Sequence, residues 1–208
     1  MFIEAVPGQT RRNMAVLAQA GITRPFYLAG GTTAAFHLGH RISVDLDFFG
    51  QEPFDAEELA GRMTDLGRFR LDRFAPDTLL GSFEDVRISF FRYRYPLVDE
   101  PVEVLGTLLV GLGDLAAMKV EAIGQRGSRR DFIDLYCICQ SQMTLSEALV
   151  WHRRKFAGLD VNIVHLVKAL VYFEDAEADP MPEMLRPVSW SDVRRFFEQE
   201  TQALFRQL

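Results

Sequence analysis

The chain has 208 residues, of which 48% are hydrophobic and 25% charged, and its formal net charge is −6. These proportions are typical of a globular protein and exclude disorder for the bulk of the chain. The negative charge argues against nucleic-acid binding over a broad basic surface, although it leaves a local basic patch open. No apolar stretch approaches the ~18 residues of a membrane-spanning helix, so we expect no membrane association.

The first third of the chain alternates helical and strand periodicity. Capping residues and glycines bound the helices, and alternation of apolar with polar side chains marks a half-buried strand. The predicted elements are a helix from Thr10 as N-cap to Gly21, a strand over 25–29, a helix over 32–38 that stops at Gly39, a strand over 43–49 and a helix from Asp55 through Leu66.

The middle of the chain is β-rich and the remainder helical. Strands are predicted over 68–74, 78–83, 85–95 and 101–105. Helix starts are predicted at Asp114, Ser128, Thr144, Asp160 and Ser189, and a loop over 174–187. The change of pattern near Gly111 predicts an α/β core over 1–110 and a helical region over 111–208 that packs on it and completes the active site. The fold class is therefore α+β.

The cysteine content favours a reducing compartment. Cys137 and Cys139 are separated by one residue in a predicted helix and cannot build a disulfide framework. No further Cys or nearby His completes a zinc set. Because no secretory signal is visible at the N-terminus, we expect reduced thiols and a cytoplasmic protein.

One group of residues has the pattern of a functional site: the turn Gly30-Gly31-Thr32 before a helix, followed by Asp45-x-Asp47 on the next strand. Glycines at a helix N-terminus let backbone N–H groups approach phosphate oxygens, and the helix dipole favours the anion. Two carboxylates on one strand face repel each other unless a cation lies between them, and hard oxygens suit Mg²⁺. Alone, the turn is usually just a turn and the aspartates a solvated strand face. Their joint occurrence at this spacing indicates a phosphate and metal site.

Two separated stretches resemble the AbiEii/AbiGii toxin family of nucleotidyltransferases. The first, over 28–49, contains the glycine turn and both aspartates. The second, over 114–136, contains Asp114, Lys119 and the run Arg130-Asp131-Phe132. The resemblance implies a polymerase-β-like nucleotidyltransferase fold with a mixed sheet, flanking helices and a helical C-terminal part.

The resemblance also implies an activity. Members transfer a nucleotide from an NTP to an acceptor with Mg²⁺ or Mn²⁺. Some relatives are toxins that modify tRNA 3′ ends and are neutralised by a cognate antitoxin. By position, Thr32 matches the hydroxyl residue of the phosphate turn and Asp45 and Asp47 the metal-binding pair. Lys119 matches the lysine that contacts the triphosphate, and Asp131 a candidate catalytic base or essential acidic group.

The residues themselves leave alternatives open. Lys119 lies one turn into a helix and could reach phosphates, or it could be a surface lysine whose ammonium reaches solvent. Asp131 lies three residues after Ser128 and could cap the helix, and this role could coexist with a functional one.

Arginines supply the further candidates for holding phosphates. A basic loop of Arg126, Arg129 and Arg130 could hold triphosphate or RNA, and Arg153, Arg154 and Lys155 could extend it. Arg41, close to the phosphate turn, is a further candidate, whereas His40 is expected to be packed.

The chain departs from the fold's pattern at one position. Nucleotidyltransferases of this fold commonly place a third carboxylate on a neighbouring strand, where this chain has Ser89. Glu84, Asp85 or Glu103 could substitute. Without a third carboxylate, one metal with Asp131 as base, or an inactive relative, remains open. Two further functions therefore compete with RNA modification: nucleotide transfer to a protein, and non-catalytic binding of a nucleotide or a partner.

Overall fold

The structure is a computed structural model that describes residues 1–159 and 162–206. Its strands are β1 (Tyr27–Leu28), β2 (Leu46–Gly50), β3 (Phe69–Ala75), β4 (Thr78–Phe83), β5 (Val86–Arg92), β6 (Val102–Val104) and β7 (Thr107–Leu109). Its α-helices are α1 (Gly8–Gln19), α2 (Gly30–Leu38), α3 (Ala56–Leu66), α4 (Leu112–Gln125), α5 (Arg129–Ser141), α6 (Leu145–Lys155), α7 (Ile163–Ala169), α8 (Glu174–Ala178) and α9 (Trp190–Phe205). No helix in the described ranges is long and apolar enough to cross a membrane.

The strands form one mixed sheet in the order β3-β4-β5-β2-β1-β7-β6. β2 lies at its centre, parallel to β5 and antiparallel to β1, with Asp47 opposite Ser89. The observed α+β architecture confirms the predicted fold class.

Apolar side chains pack on both faces of the sheet. On one face, α1 and α3 cover a core that includes Phe36, Leu46 and Phe48. On the other face, α4 to α9 build a second core around Phe132 and Phe197. Along β2 buried and half-buried residues alternate, so Phe48 enters the first core while its neighbours in sequence face the opposite side. Asp47 is thereby directed toward the helical region.

Most predicted elements of the first half are confirmed, with corrected boundaries. α1 begins at Gly8 with Pro7 as N-cap, so the prediction of Thr10 as the cap is wrong. Thr10 lies inside the helix and donates a hydrogen bond of 3.0 Å to the Val44 carbonyl. The strand predicted over 25–29 is only two residues long, and the one predicted over 43–49 begins at Leu46, so Asp45 immediately precedes it.

The second half shows three corrections. A short strand, β7, pairs with β6 through a tight turn where Leu105 and Gly106 have positive φ, and the sequence did not predict it. The segment predicted as a loop over 174–187 contains α8. Asp114 does not cap α4, whose N-cap is Gly111. The caps Ser128, Thr144 and Ser189 are confirmed, and the helix start predicted at Asp160 lies outside the described residues.

Candidate active site

A cleft of about 330 Å³ lies between the sheet and the helical region, where α2 begins and β2 enters the sheet. Charged side chains of both signs dominate its lining. The cations are Arg41, Arg87, Lys119, Arg126 and Arg130, and the anions are Asp45, Asp47, Asp131 and Asp179. Gly30 and Gly31 line the same cleft, whereas Thr32 and the further candidates Arg129, Arg153, Arg154 and Lys155 do not.

The glycine turn is shaped by the side chains pressed against it. Gly30 has φ +68°, and a Cβ there would lie 2.9 Å from Oδ2 of Asp47. A Cβ on Gly31 would lie only 2.5 Å from Nη2 of Arg41. Because α2 begins at Gly30, its first N–H groups have no acceptor within the helix, and the positive end of the helix dipole lies at the cleft. The turn thus places backbone N–H groups that lack a partner within the helix directly beside Asp47.

The hydroxyl of Thr32 is engaged by neighbouring protein groups and does not line the cleft. It donates to the Asp45 carbonyl oxygen and lies 3.0 Å from Oγ of Ser43, and the residue is buried. The side-chain contact with phosphate that the sequence suggested is therefore not formed by this arrangement. Thr32 instead holds the segment that positions Asp45, and only its backbone N–H remains for an anion.

Asp47 is buried close to Asp45, and its ionisation is disturbed. Burial raises the pKa of Asp47 above its usual range, and the charge of Asp45 adds to the rise. A hydrogen bond from Ser89 and the charge of Lys119 partly offset it. A cation between the two carboxylates would remove this penalty, so the pair fits a divalent metal ion.

Lys119 is buried in a cluster of charges. Its Nζ lies 2.8 Å from Asp131 and 2.6 Å from Asp134. Arg41 binds Asp134 through Nε at 2.7 Å and Nη2 at 2.9 Å, and His40 contacts the same carboxylate at 2.8 Å. Burial opposes the charge on Lys119, but the two carboxylates outweigh it and raise its pKa. The alternative of a solvent-reaching surface lysine is therefore wrong, and His40 is packed as expected.

Asp131 lies in the first turn of α5 and lines the cleft. Its backbone N–H donates a hydrogen bond to the Ser128 side chain, as expected for the third residue of α5. Its carboxylate accepts from Ser128 Oγ at 2.6 Å and from Arg126 Nε at 3.1 Å, at the cleft wall. Burial opposes its ionisation, but Lys119 and Arg126 outweigh burial and lower its pKa. A carboxylate with a lowered pKa is a weak general base at neutral pH, so the geometry favours an electrostatic role.

The predicted basic patch is only partly available. The side chains of Arg126 and Arg130 are exposed at the cleft. Arg129 is engaged elsewhere, since its Nε donates to the Ala176 carbonyl at 2.9 Å and its guanidinium covers the Trp190 ring. Lys155 is buried against Asp114, so its predicted contribution to a basic surface is wrong.

None of the proposed substitutes supplies a third carboxylate. Glu84 and Asp85 lie at the turn between β4 and β5, where Arg68 contacts both, and Glu103 lies on β6 near the opposite edge. Sequence reasoning missed Asp179, which follows α8, lines the cleft and accepts a 3.0 Å hydrogen bond from the Arg129 backbone. No motif surrounds Asp179, so only the tertiary fold reveals it.

The carboxylates fit a metal shared with substrate rather than one enclosed by protein. Within residues 1–159 and 162–206, no group of three or more His, Cys, Asp or Glu side chains is placed to hold a metal ion. Mg²⁺ is commonly bound by one or two carboxylates together with water and substrate phosphates. Asp45 and Asp47 match that pattern beside the anion-binding turn.

Comparison with known proteins decides the family. Residues 14–105 match the family described as nucleotidyl transferase AbiEii toxin, type IV toxin–antitoxin system. The uncharacterised protein aq_aa25 of Aquifex aeolicus is 37% identical over 197 residues, which cover 92% of this chain and 94% of that protein. The chain belongs to the AbiEii nucleotidyltransferase family. The resemblance noted in the sequence is confirmed.

Solved structures show the same fold for this AbiEii nucleotidyltransferase. A putative nucleotidyltransferase of Helicobacter pylori aligns over 97% of both chains with a TM-score of 0.56 and 14% identity. MenT4, a nucleotidyltransferase toxin of Mycobacterium tuberculosis, aligns over 96% of this chain and 86% of its own, with a TM-score of 0.54 and 15% identity. The family match includes the glycine turn and both aspartates but ends before Lys119 and Asp131.

Proposed function

We propose that this nucleotidyltransferase moves a nucleotide from an NTP to RNA, with tRNA as the acceptor, and acts as the toxin of a toxin–antitoxin pair. One observation carries the proposal: the glycine turn at the start of α2 comes within contact of Asp47, so an anion site and a metal-binding pair form one surface. The description of the family as a toxin of a type IV toxin–antitoxin system supports the biological role.

The triphosphate would be held by the turn and by the cations around it. The N–H groups of Gly30 and Gly31 supply neutral donors, and Lys119 supplies charge from the cleft floor. Arg126 and Arg130 are exposed and extend over the opening, where their planar guanidinium groups can pair with phosphate oxygens. Arg41 is already paired bidentately with Asp134, so we assign it to supporting Gly31 rather than to direct binding.

Asp45 and Asp47 would hold Mg²⁺ or Mn²⁺. Bound there, the ion would neutralise the phosphates and polarise the phosphorus that the acceptor hydroxyl attacks. Five cationic and four anionic side chains line the cleft (Arg41, Arg87, Lys119, Arg126 and Arg130 against Asp45, Asp47, Asp131 and Asp179). This near balance gives the protein alone little net charge to offset a triphosphate, which is why a divalent ion suits the site.

The rim of the cleft supports an RNA acceptor. In the described part of the chain, Arg87 and Arg130 line the cleft and have no acidic side chain within 4.0 Å. Such cations can pair with backbone phosphates without first losing an internal partner. Because the net charge is −6, this local patch would carry RNA binding, and we expect binding to weaken steeply as salt rises.

A second candidate, transfer to a protein, is favoured by a different surface. A groove of about 330 Å³ continues the cleft past Asp45. Its charged lining has three acidic side chains (Asp45, Asp179 and Glu183) against two basic ones (Arg41 and Arg130), and the exposed side chains of Val44 and Met181 make it partly apolar. This composition suits a basic or apolar peptide better than a phosphate backbone.

The test is transfer of label from each α-labelled NTP, with Mg²⁺, to total RNA and to total protein. We expect label in a tRNA-sized band with the wild type and none with Asp47→Asn. Asp65→Asn, an exposed aspartate of α3, is the matched control and should remain active. Label in protein alone would select the second candidate, and nucleotide binding without transfer would indicate a non-catalytic relative.

The toxin role has its own test. Expression of the wild type should arrest growth, and Asp47→Asn should relieve the arrest while accumulating to the same level. Co-expression of a cognate antitoxin should also relieve it. Growth arrest that persists in Asp47→Asn would contradict a toxin that acts by nucleotide transfer.

A further inference from the structure

A second lobe opens from the cleft and differs from it in chemistry. It has a volume of about 190 Å³ and shares Gly30, Lys119, Arg126 and Asp131 with the charged cleft. Its remaining walls are largely apolar and include Phe49, Tyr93 and Met118. A charged compartment that continues into an aromatic one matches a ligand with a polyphosphate at one end and a flat ring at the other.

The strand geometry sets the spacing between the two compartments. Asp47 and Phe49 are two residues apart on β2 and project from the same face. Their Cα atoms are therefore about 7 Å apart, at about 3.3 Å per residue. The ring of Phe49 contacts that of Tyr93 edge to face, with centroids 5.3 Å apart. These aromatic rings provide a wall on which a nucleobase can stack.

Glu121 supplies the polar edge of the lobe. The side chain is about one-fifth exposed, and its Oε2 lies 2.7 Å from Nε2 of the buried His152. Gln125 donates to Oε1 at 2.8 Å. The hydrogen bond from His152 lowers the pKa of Glu121, so the carboxylate is ionised at neutral pH and can only accept hydrogen bonds. Two contacts fix the group, and its remaining lone pairs are free for a ligand.

We propose that this lobe holds the nucleobase of the incoming NTP and that Glu121 selects bases that carry an exocyclic amino group. This inference rests on the proposed function and deepens it by naming the base. Cytosine presents an N4 amino donor where uracil, like thymine, presents the O4 carbonyl, so an ionised carboxylate attracts the first and repels the second. Adenine and guanine also carry amino groups, and UTP is therefore the disfavoured substrate.

The experiment measures kcat/KM for ATP, GTP, CTP and UTP with the RNA acceptor, together with equilibrium binding of each nucleotide without acceptor. We expect the wild type to prefer CTP over UTP by about 10- to 100-fold, the range given by one hydrogen-bonded base contact. In Glu121→Gln the amide can donate to O4, so the ratio of CTP to UTP should fall toward one. Glu52→Gln, an exposed glutamate outside the lobe, should keep the wild-type ratio.

A second variant separates stacking from base reading. Tyr93→Leu should weaken the binding of all four nucleotides by a similar factor and leave the ratio of CTP to UTP unchanged. Equal use and equal binding of CTP and UTP by the wild type would overturn the inference while leaving nucleotide transfer intact. Nucleotide binding with the expected selectivity but no transfer would instead overturn the proposed function alone.

Discussion

Two buried lysines, Lys119 on α4 and Lys155 at the end of α6, differ in what surrounds them. Lys119 lies against Asp131 and Asp134, lines the cleft and has a raised pKa because two carboxylates outweigh its burial. Lys155 lies 2.5 Å from Asp114, both side chains are fully buried, and burial lowers the pKa of the lysine because its one carboxylate does not offset it.

The difference shows how one residue type serves two purposes. The Lys155–Asp114 pair is closed: Lys155 also donates to the Pro96 carbonyl, and Asp114 accepts from the backbone of Val98 and Asp99. It therefore ties the segment after β5 to α4 and α6. The Lys119 cluster is open on one side, where it lines the cleft, and in the proposed function its lysine also faces the triphosphate. Because both lysines are buried, their position relative to the cleft, and not their burial, distinguishes the candidate site residue Lys119 from the structural residue Lys155.

The largest effect is expected from breaking the closed pair. Lys155→Met leaves Asp114 buried without its cation, which commonly costs about 3–5 kcal/mol of the free energy of unfolding. Transfer per folded molecule should remain near the wild-type value. Urea unfolding and a transfer assay on the same preparation measure both quantities. Adding Asp114→Asn should recover part of the stability, and a selective loss of transfer would contradict a purely structural role.

Breaking the open cluster should cost less stability than breaking the closed pair and much more activity. In Lys119→Met, Arg41 still pairs with Asp134 and Arg126 still pairs with Asp131, so the stability loss should be smaller than for Lys155→Met. Transfer should fall about 100- to 1000-fold, as when one preorganised donor to developing charge is removed. Steady-state kinetics beside unfolding curves test this. Full activity in Lys119→Met would remove the lysine from the proposed site.

The open cluster should also govern stability in acid. Burial opposes ionisation of Asp134, but Arg41 and Lys119 outweigh it and hold its pKa well below the usual range. A carboxyl whose pKa is lower in the folded state stabilises the fold above its unfolded pKa of about 4, and this stabilisation is lost as the pH falls further. The difference in unfolding free energy between wild type and Asp134→Asn should therefore be largest above about pH 5 and shrink toward pH 2. A difference that does not change with pH would contradict the pairing.

The smallest loss of stability, about 1–2 kcal/mol, is expected at the turn that the open cluster supports. In Gly30→Ala the alanine must adopt the left-handed conformation, which accounts for this loss of unfolding free energy. Its Cβ would also press against Asp47, so we expect the transfer rate to fall by a larger factor than the folding equilibrium constant. Gly61→Ala is the matched control because it lies in α3 with no atom within 4 Å of a new Cβ. It should gain about 0.5–1 kcal/mol and keep its activity. Thermal unfolding measures the stability of both variants, and the transfer assay measures their activity.

Local signals in the sequence predicted the features that depend on neighbouring residues. The caps at Ser128 and Thr144 and the glycine turn at Gly30 each use groups within a few residues, so their structures follow from the sequence pattern. Alternation along 43–49 correctly placed Leu46 and Phe48 on the apolar face, but it placed Val44 there too, and that residue precedes the strand and is 49% exposed.

The misplaced features depend on contacts between distant residues. Asp114 pairs with a lysine 41 positions away, and no local pattern distinguishes that pairing from a helix cap. The direction of the Thr32 hydroxyl depends on the segment before β2. Asp179 reaches the cleft because the chain after α8 returns to it, and its neighbours form no motif.

One assay tests the central claim most directly: the transfer rate per folded molecule for Asp47→Asn, Lys119→Met and Lys155→Met, measured together with labelled NTP and RNA. We expect transfer to be lost in Asp47→Asn, strongly reduced in Lys119→Met and retained in Lys155→Met. Wild-type transfer by Asp47→Asn would contradict the account, because the proposed metal-binding pair would then not carry the reaction.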